Sequence, residues 1–156
     1  RRECHRRLSA AGQADPKQNS AFGLSHSASA SLWPPVVSVP ETDHSDKVAY
    51  GAYLAGPAGH CIECHSPLTK KGPDIENNLG AGGFEFHGPW GVSVSSNITP
   101  TGLGDRTNDE IKEMITKGIR PDGSRMLPPM AYSYCANIKP EDLDAIVAYL
   151  RTLPAK

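Results

Sequence analysis

The sequence of 156 residues predicts a mostly α fold with three main helices, a short β-hairpin and long loops. Three observations carry that prediction. Apolar residues recur at helical spacing near 46–55, 107–119 and 139–153. Clear alternation is confined to Phe84 and Phe86 on one side of Gly88-Pro89 and to Val92 and Val94 on the other. Between the first helix and the hairpin stands the run Cys61-Ile62-Glu63-Cys64-His65, around which the other elements are expected to gather.

Bulk properties narrow what this fold serves. The apolar fraction is 38% and the aromatic fraction 6%, so a large buried apolar group would add surface that the side chains do not supply. A formal charge of −1 argues against nucleic acid as the main partner. No apolar run approaches the length of a transmembrane span, and the sequence opens at Arg1 without a signal peptide, as a processed or partial chain does. Four cysteines in a domain of this size do not form a disulfide framework.

Residues 1–45 are predicted to be an irregular extension or linker, Ser- and Ala-rich over 20–31, with a short apolar patch at 32–37. Cys4-His5 repeats the last two letters of the later motif but has Arg1 where the first cysteine would stand. A domain covering 46–156 follows. Its first helix is expected over 46–55 with Ser45 as cap, Gly51 either marking a close helix crossing or simply tolerated, and Gly56-Pro57 as its end.

A Cys-x-x-Cys-His run is the attachment signature of a c-type haem, with two thiols for the porphyrin vinyl groups and an adjacent imidazole for the iron. Four residues make about one helical turn, which lays both sulfurs along one porphyrin edge. The competing readings are a redox dithiol, which wants a βαβ setting this sequence lacks, and half of a zinc site, which needs a further ligand at recognisable spacing. His60 is expected to be exposed or hydrogen-bonded and not a ligand, and the carbonyl of Pro67 or Pro73 is the expected acceptor for the second ring nitrogen of His65.

Past the hairpin, Trp90 is read either as a propionate donor or as packing. Thr107 precedes Asn108-Asp109-Glu110 at the start of the middle helix, whose apolar stripe is Ile111, Met114, Ile115 and Ile119. Arg120, in the turn that follows, is a propionate partner or a solvated charge. The strap 126–132 offers Met126 and Met130 as the sixth iron ligand, Met130 following two prolines that stiffen an extended segment. The final helix opens at Pro140 with acids in its first turn and buries Leu143, Ile146, Val147 and Leu150. Cys135 is expected to be an inert buried thiol, with a disulfide to Cys4 the lesser alternative.

In this order the elements over 46–154 resemble a class I cytochrome c domain. Tyr50-Gly51-Ala52-Tyr53-Leu54, Ser96-Asn97-Ile98-Thr99-Pro100, Gly118-Ile119-Arg120-Pro121-Asp122-Gly123 and Pro128-Pro129-Met130-Ala131-Tyr132 are similar to the cytochrome c subunits of bacterial membrane-associated alcohol and aldehyde dehydrogenases. The resemblance implies the class I fold around covalently attached haem c, with His65 and Met130 as the iron ligands; such subunits commonly carry two or three haem domains, and the one complete motif here makes a single haem the expectation. Cys61 and Cys64 would carry the attachment, and Trp90, Asn97, Arg120 and Tyr132 would contact the cofactor. It implies one-electron transfer and no catalysis of its own, linking a redox donor, such as a dehydrogenase catalytic subunit or another haem domain, to a respiratory acceptor. The alternative is a haem enzyme or sensor in which the methionine is displaced. Covalent haem attachment in bacteria takes place outside the cytoplasmic membrane, so a periplasmic location, or membrane association through a partner, is expected. The family usually has Trp where this chain has Arg106.

Overall fold

The structure is a computed structural model that describes Ser38 and residues 40–156. Cys4-His5, the Ser/Ala-rich run 20–31 and the apolar patch 32–37 lie outside the described residues. Pro40–Lys156 form one compact unit, helical with two small two-stranded sheets.

Helix α1, Lys47–Tyr53, begins at Asp46 and not at Ser45. The Asp46 carboxylate accepts the Val48 and Ala49 N–H groups at 3.1 and 3.0 Å, whereas the Ser45 N–H turns back to Asp43 at 2.8 Å. An aspartate in extended conformation answers two orphan donors at once and wins the cap. The helix does not stop at Gly56-Pro57 but widens into π-helical turns over Leu54–Ala58, with a break in helical geometry at Gly56. Proline has no N–H to give a tight ladder, and a wide turn accommodates it.

One helical turn, α2 at Cys61–Cys64, is followed by the small antiparallel pair β1 (Leu68–Thr69) and β2 (Gly72–Pro73) and by α3 (Ile75–Asn78). The predicted hairpin is present. Strand β3, Glu85–Gly88, pairs with β4, Gly91–Val94, with Phe86 opposite Ser93 and His87 opposite Val92. Phe84 and Phe86 stack with ring centroids 4.3 Å apart.

After a short turn, α4 (Pro100–Leu103), comes α5 (Asn108–Lys117). Thr107 and Glu110 form a reciprocal capping box at its start, as the sequence suggests. Ile111 is buried on the predicted stripe, but Ile119 is not part of it. The helix closes at Gly118, and Ile119 lies beyond in an antiparallel bridge with Arg125, 37% exposed. Periodicity carries over a helix end in sequence even when the backbone has already turned.

The strap leads through α6 (Tyr132–Cys135) into α7 (Pro140–Leu150), whose proline stands in the first turn as predicted. Helix α7 supplies Ile146, Val147 and Leu150 to a core completed by Ala55, Leu103, Ile111 and Leu153. Helices α1 and α5 both pack on α7. Lys112 of α5 pairs with Asp144 of α7, and the Tyr50 hydroxyl of α1 donates to Asp142 at 3.1 Å.

The α1–α7 crossing is close enough to exclude a methyl group. A Cβ on Gly51 would stand 1.9 Å from the Ala145 carbonyl oxygen and 2.9 Å from the Tyr149 Cβ. Propensity alone makes Ala about 1 kcal/mol better than Gly inside a helix. Overpacking of this kind costs typically about 2 kcal/mol and reverses the sign. Gly51→Ala is therefore expected to destabilise the domain in chemical denaturation, and a gain in stability would show that the helices separate freely.

Candidate cofactor-binding site

The site begins where α1 hands over to α2. His60 takes a left-handed conformation (φ 55°) ahead of α2, and its Nδ1 lies 2.9 Å from the Glu63 carboxylate, an exposed local contact. The turn itself is closed by the His65 N–H donating to the Cys61 carbonyl at 2.9 Å. Cys61 and Cys64 thus leave one helical turn with free thiols, as the motif requires. Cys61 is half-buried against the core, while Cys64 is exposed.

His65 is held on three sides. Besides its own N–H, its carbonyl accepts the Gly82 N–H at 2.7 Å, and its Nδ1 lies 2.7 Å from the Ser96 carbonyl. A carbonyl only accepts, so Nδ1 carries the proton and the Nε2 lone pair is left for a metal. The acceptor is neither Pro67 nor Pro73. The Pro67 carbonyl is taken by the Asp74 N–H at 2.9 Å, whereas the 95–97 segment, brought in by the hairpin, lies beside the imidazole. Gly82 permits this approach, since a Cβ there would stand 2.6 Å from the Ser95 oxygen and from the Asn97 nitrogen. Burial lowers the His65 pKa, opposed in part by the Ser96 hydrogen bond, and the neutral form is the one that ligates metals.

Ser66 braces the same corner from inside. It is fully buried, donates to the Ile62 carbonyl at 2.6 Å and accepts the Gly80 N–H at 3.0 Å. Neither Ser66 nor Ser96 was selected by sequence reasoning. A serine directly after the motif and a Ser-Ser-Asn run directly after an alternating strand are the signals that pointed to them.

Burial pushes the Cys61 thiol up to about 11, and the neighbouring Cys135 thiol adds to the rise. Burial also raises Cys64, with Glu63 contributing, and burial alone raises Cys135, which is half-buried and not the buried thiol expected; its alternative partner Cys4 lies outside the described residues. Among the described residues no three His, Cys, Asp or Glu side chains are gathered to hold a metal ion.

The remaining sequence-selected residues have mixed surroundings. Trp90, at the hairpin turn, is 38% exposed and lies over Gly88, where a Cβ would be 2.5 Å from its ring. The Asn97 side-chain Oδ1 accepts the Thr99 N–H and hydroxyl at 2.8 and 2.7 Å, and its Nδ2 donates to the Lys156 carbonyl at 2.8 Å. Arg120 donates to the Ser124 hydroxyl and the Arg125 carbonyl at 3.2 and 3.0 Å. Tyr132 packs its ring on Gly118, and Met126 and Met130 are both half-buried. Arg106, where the resemblance leads to an expected Trp, donates to the Gly102 and Leu103 carbonyls, each at 2.9 Å, closing the end of α4.

Residues 48–154 match the family model described as cytochrome c. The chain belongs to the cytochrome c family. Over 113 residues it is 38% identical to the cytochrome c subunit of the quinone alcohol dehydrogenase of Gluconacetobacter polyoxogenes, covering 70% of this chain and 22% of that one. Over 121 residues it is 32% identical to the fructose dehydrogenase cytochrome subunit of Gluconobacter japonicus, covering 76% and 24%. The gluconate 2-dehydrogenase cytochrome c subunit of Pantoea cypripedii is 37% identical over 105 residues, covering 65% and 22%. The chain thus spans less than a quarter of the length of these relatives.

Family membership supports electron transfer as the role of 48–154, and it implies covalently attached haem c. The residues present fit that group. Two thiols leave one turn, the adjacent imidazole has its tautomer fixed, and Phe84, Phe86, Met126 and Met130 stand half-buried outside the core cluster. An apolar macrocycle would cover side chains of that kind. No helix among the described residues is long and apolar enough to cross a membrane.

The raised Cys61 pKa has a direct consequence in haem-free protein. At pH 8 alkylation of Cys61 is expected to run about two orders of magnitude slower than at an unperturbed thiol. Mass mapping of iodoacetamide adducts measures it, and labelling of Cys61 as fast as a denatured control would contradict the burial.

Proposed function

We propose that this domain carries one haem c, joined to Cys61 and Cys64 and ligated by His65 and Met130, and that it relays single electrons between two redox proteins. The observation that carries the reading is the 2.7 Å contact of His65 Nδ1 with the Ser96 carbonyl, directly after the Cys-x-x-Cys turn. It prepares the imidazole for an axial role before any cofactor is considered. The haem supplies the electron-storing chemistry, and the chain supplies attachment, ligation and burial.

Met130 is favoured over Met126 because it follows Pro128-Pro129 and falls on the distal-ligand position that the family resemblance implies. A thioether ligand holds the potential above that of a bis-histidine centre. Trp90, Asn97, Arg120 and Tyr132 are proposed to surround the cofactor, with Arg120 facing its propionates.

The partner classes follow from the relatives, which are cytochrome subunits of alcohol, fructose and gluconate dehydrogenases. The donor is then a dehydrogenase catalytic subunit or a further haem domain of the same assembly, and the acceptor a respiratory carrier. The encounter surface is small, of the order of 1,200 Å² or less, as redox contacts usually are. Covalent haem attachment places the working protein outside the cytoplasmic membrane, in the periplasm or held at the membrane by a partner.

Met130→Ala tests the ligand assignment. The variant is expected to keep its covalent haem, to lose potential, and to bind carbon monoxide readily in the ferrous state. Redox titration and optical spectra measure these changes. Unchanged ligation would move the assignment to Met126.

A further inference from the structure

Strand β4 makes one contact that the electron-transfer reading does not use. Its side chains alternate, with Val92 and Val94 exposed at 52% and 58% and Ser93 half-buried on the other face beside its cross-strand partner Phe86. The Ser93 hydroxyl donates to the Pro128 carbonyl at 2.6 Å, across 35 residues of sequence. Pro128 and Pro129 have no N–H groups, so that part of the strap holds to the fold through its carbonyls alone.

Few other hydrogen bonds tie this segment down. Among the described residues, the Met126 N–H donates to the Gly118 carbonyl at 2.8 Å, and the Met130 N–H reaches only back to Leu127 at 3.3 Å. Between the Gly118 contact and α6, Ser93 is the hydrogen-bonded anchor to the rest of the domain.

The same strand runs on to the other side of the site. The Ser95 N–H donates to the Phe84 carbonyl at 2.9 Å, its hydroxyl accepts the Phe84 N–H at 3.0 Å, and the Ser96 carbonyl accepts the His65 Nδ1–H at 2.7 Å. The stretch 93–96 therefore touches the strap at one end and His65 at the other. We infer that Ser93 is a positioning residue for the axial methionine: its hydroxyl holds the Pro128 carbonyl and so ties Pro128-Pro129-Met130 to the strand that orients His65. The inference rests on Met130 as the distal ligand. Fluctuations that detach the methionine then require this hydrogen bond to break.

The test uses the haem-loaded protein and three substitutions, Ser93→Ala, Ser93→Val and Ser93→Thr. Val and Thr have nearly the same shape and both suit a strand, so their difference isolates the hydroxyl. Cyanide association with the ferric protein is read by stopped flow, together with the far-red methionine–iron band and amide hydrogen exchange over the strap.

Loss of one net hydrogen bond raises the population of the detached strap about three- to tenfold. Ala and Val variants are expected to bind cyanide faster by that factor, with a weaker far-red band and faster exchange at Met130, while Thr behaves as the parent protein. Parent-like cyanide rates and band intensity in both Ala and Val variants would overturn the role of Ser93. In the parallel Met130→Ala control, a retained far-red band would instead overturn the axial assignment and this inference with it. A lost band there, with unchanged Ser93 variants, overturns the inference alone.

Discussion

The close crossing of α1 over α7 at Gly51 is the constraint on which the site depends. The Gly51 position sits directly against the Ala145 carbonyl, so α1 and α7 pack backbone to backbone, and the Tyr50–Asp142 hydrogen bond adds a polar tie between them. The π-helical turns that extend α1 carry Ala55 into the core and deliver the chain to Cys61, which itself packs against that core. Position is thus passed from a packed helix pair to an attachment turn through a few residues. Helix α7 meets α5 through the core and through Lys112–Asp144, so the same scaffold also supports the helix from which the strap departs.

On the other side of the site, order comes from hydrogen bonds and not from apolar packing. Phe84, Phe86 and the two strap methionines are only half-buried, and the loop 79–83 is threaded between His65 and 95–97 by the Gly82 N–H and by close backbone approach. Such a division suits a protein that must hold a large apolar group. The α1–α7 side is packed on the core, while the 79–97 side is tied at defined polar points. Redox tuning needs those points, because the donor strength of an axial ligand follows the hydrogen bond on its far side.

Much of this was legible in the sequence where the signal is local. The Cys61–His65 run, the α5 capping box at Thr107, the Pro140 start of α7 and the hairpin around Gly88-Pro89 each rest on neighbours within about one turn. Gly51 was readable as a crossing because a glycine inside a good helix calls for a reason. What failed had both distant and local causes. The acceptor for His65 was sought in nearby prolines, but hairpin folding brings Ser96 from 31 residues away. Ile119 kept its helical spacing after the backbone had turned at Gly118, and Asp46 outcompeted Ser45 because its carboxylate reaches two N–H groups. The Arg106 substitution was visible as a departure, yet its closure of α4 needed coordinates.

The central claim is that the turn at Cys61–Cys64 carries a covalent haem with His65 and a methionine on the iron. Optical spectra of the purified protein, oxidised and then reduced, followed by acid-acetone extraction, test it most directly. The account predicts c-type reduced bands, a weak far-red band in the oxidised protein, and colour that stays with the protein on extraction. Extractable colour, or a covalent haem without the far-red band, would contradict the attachment or the methionine ligation respectively.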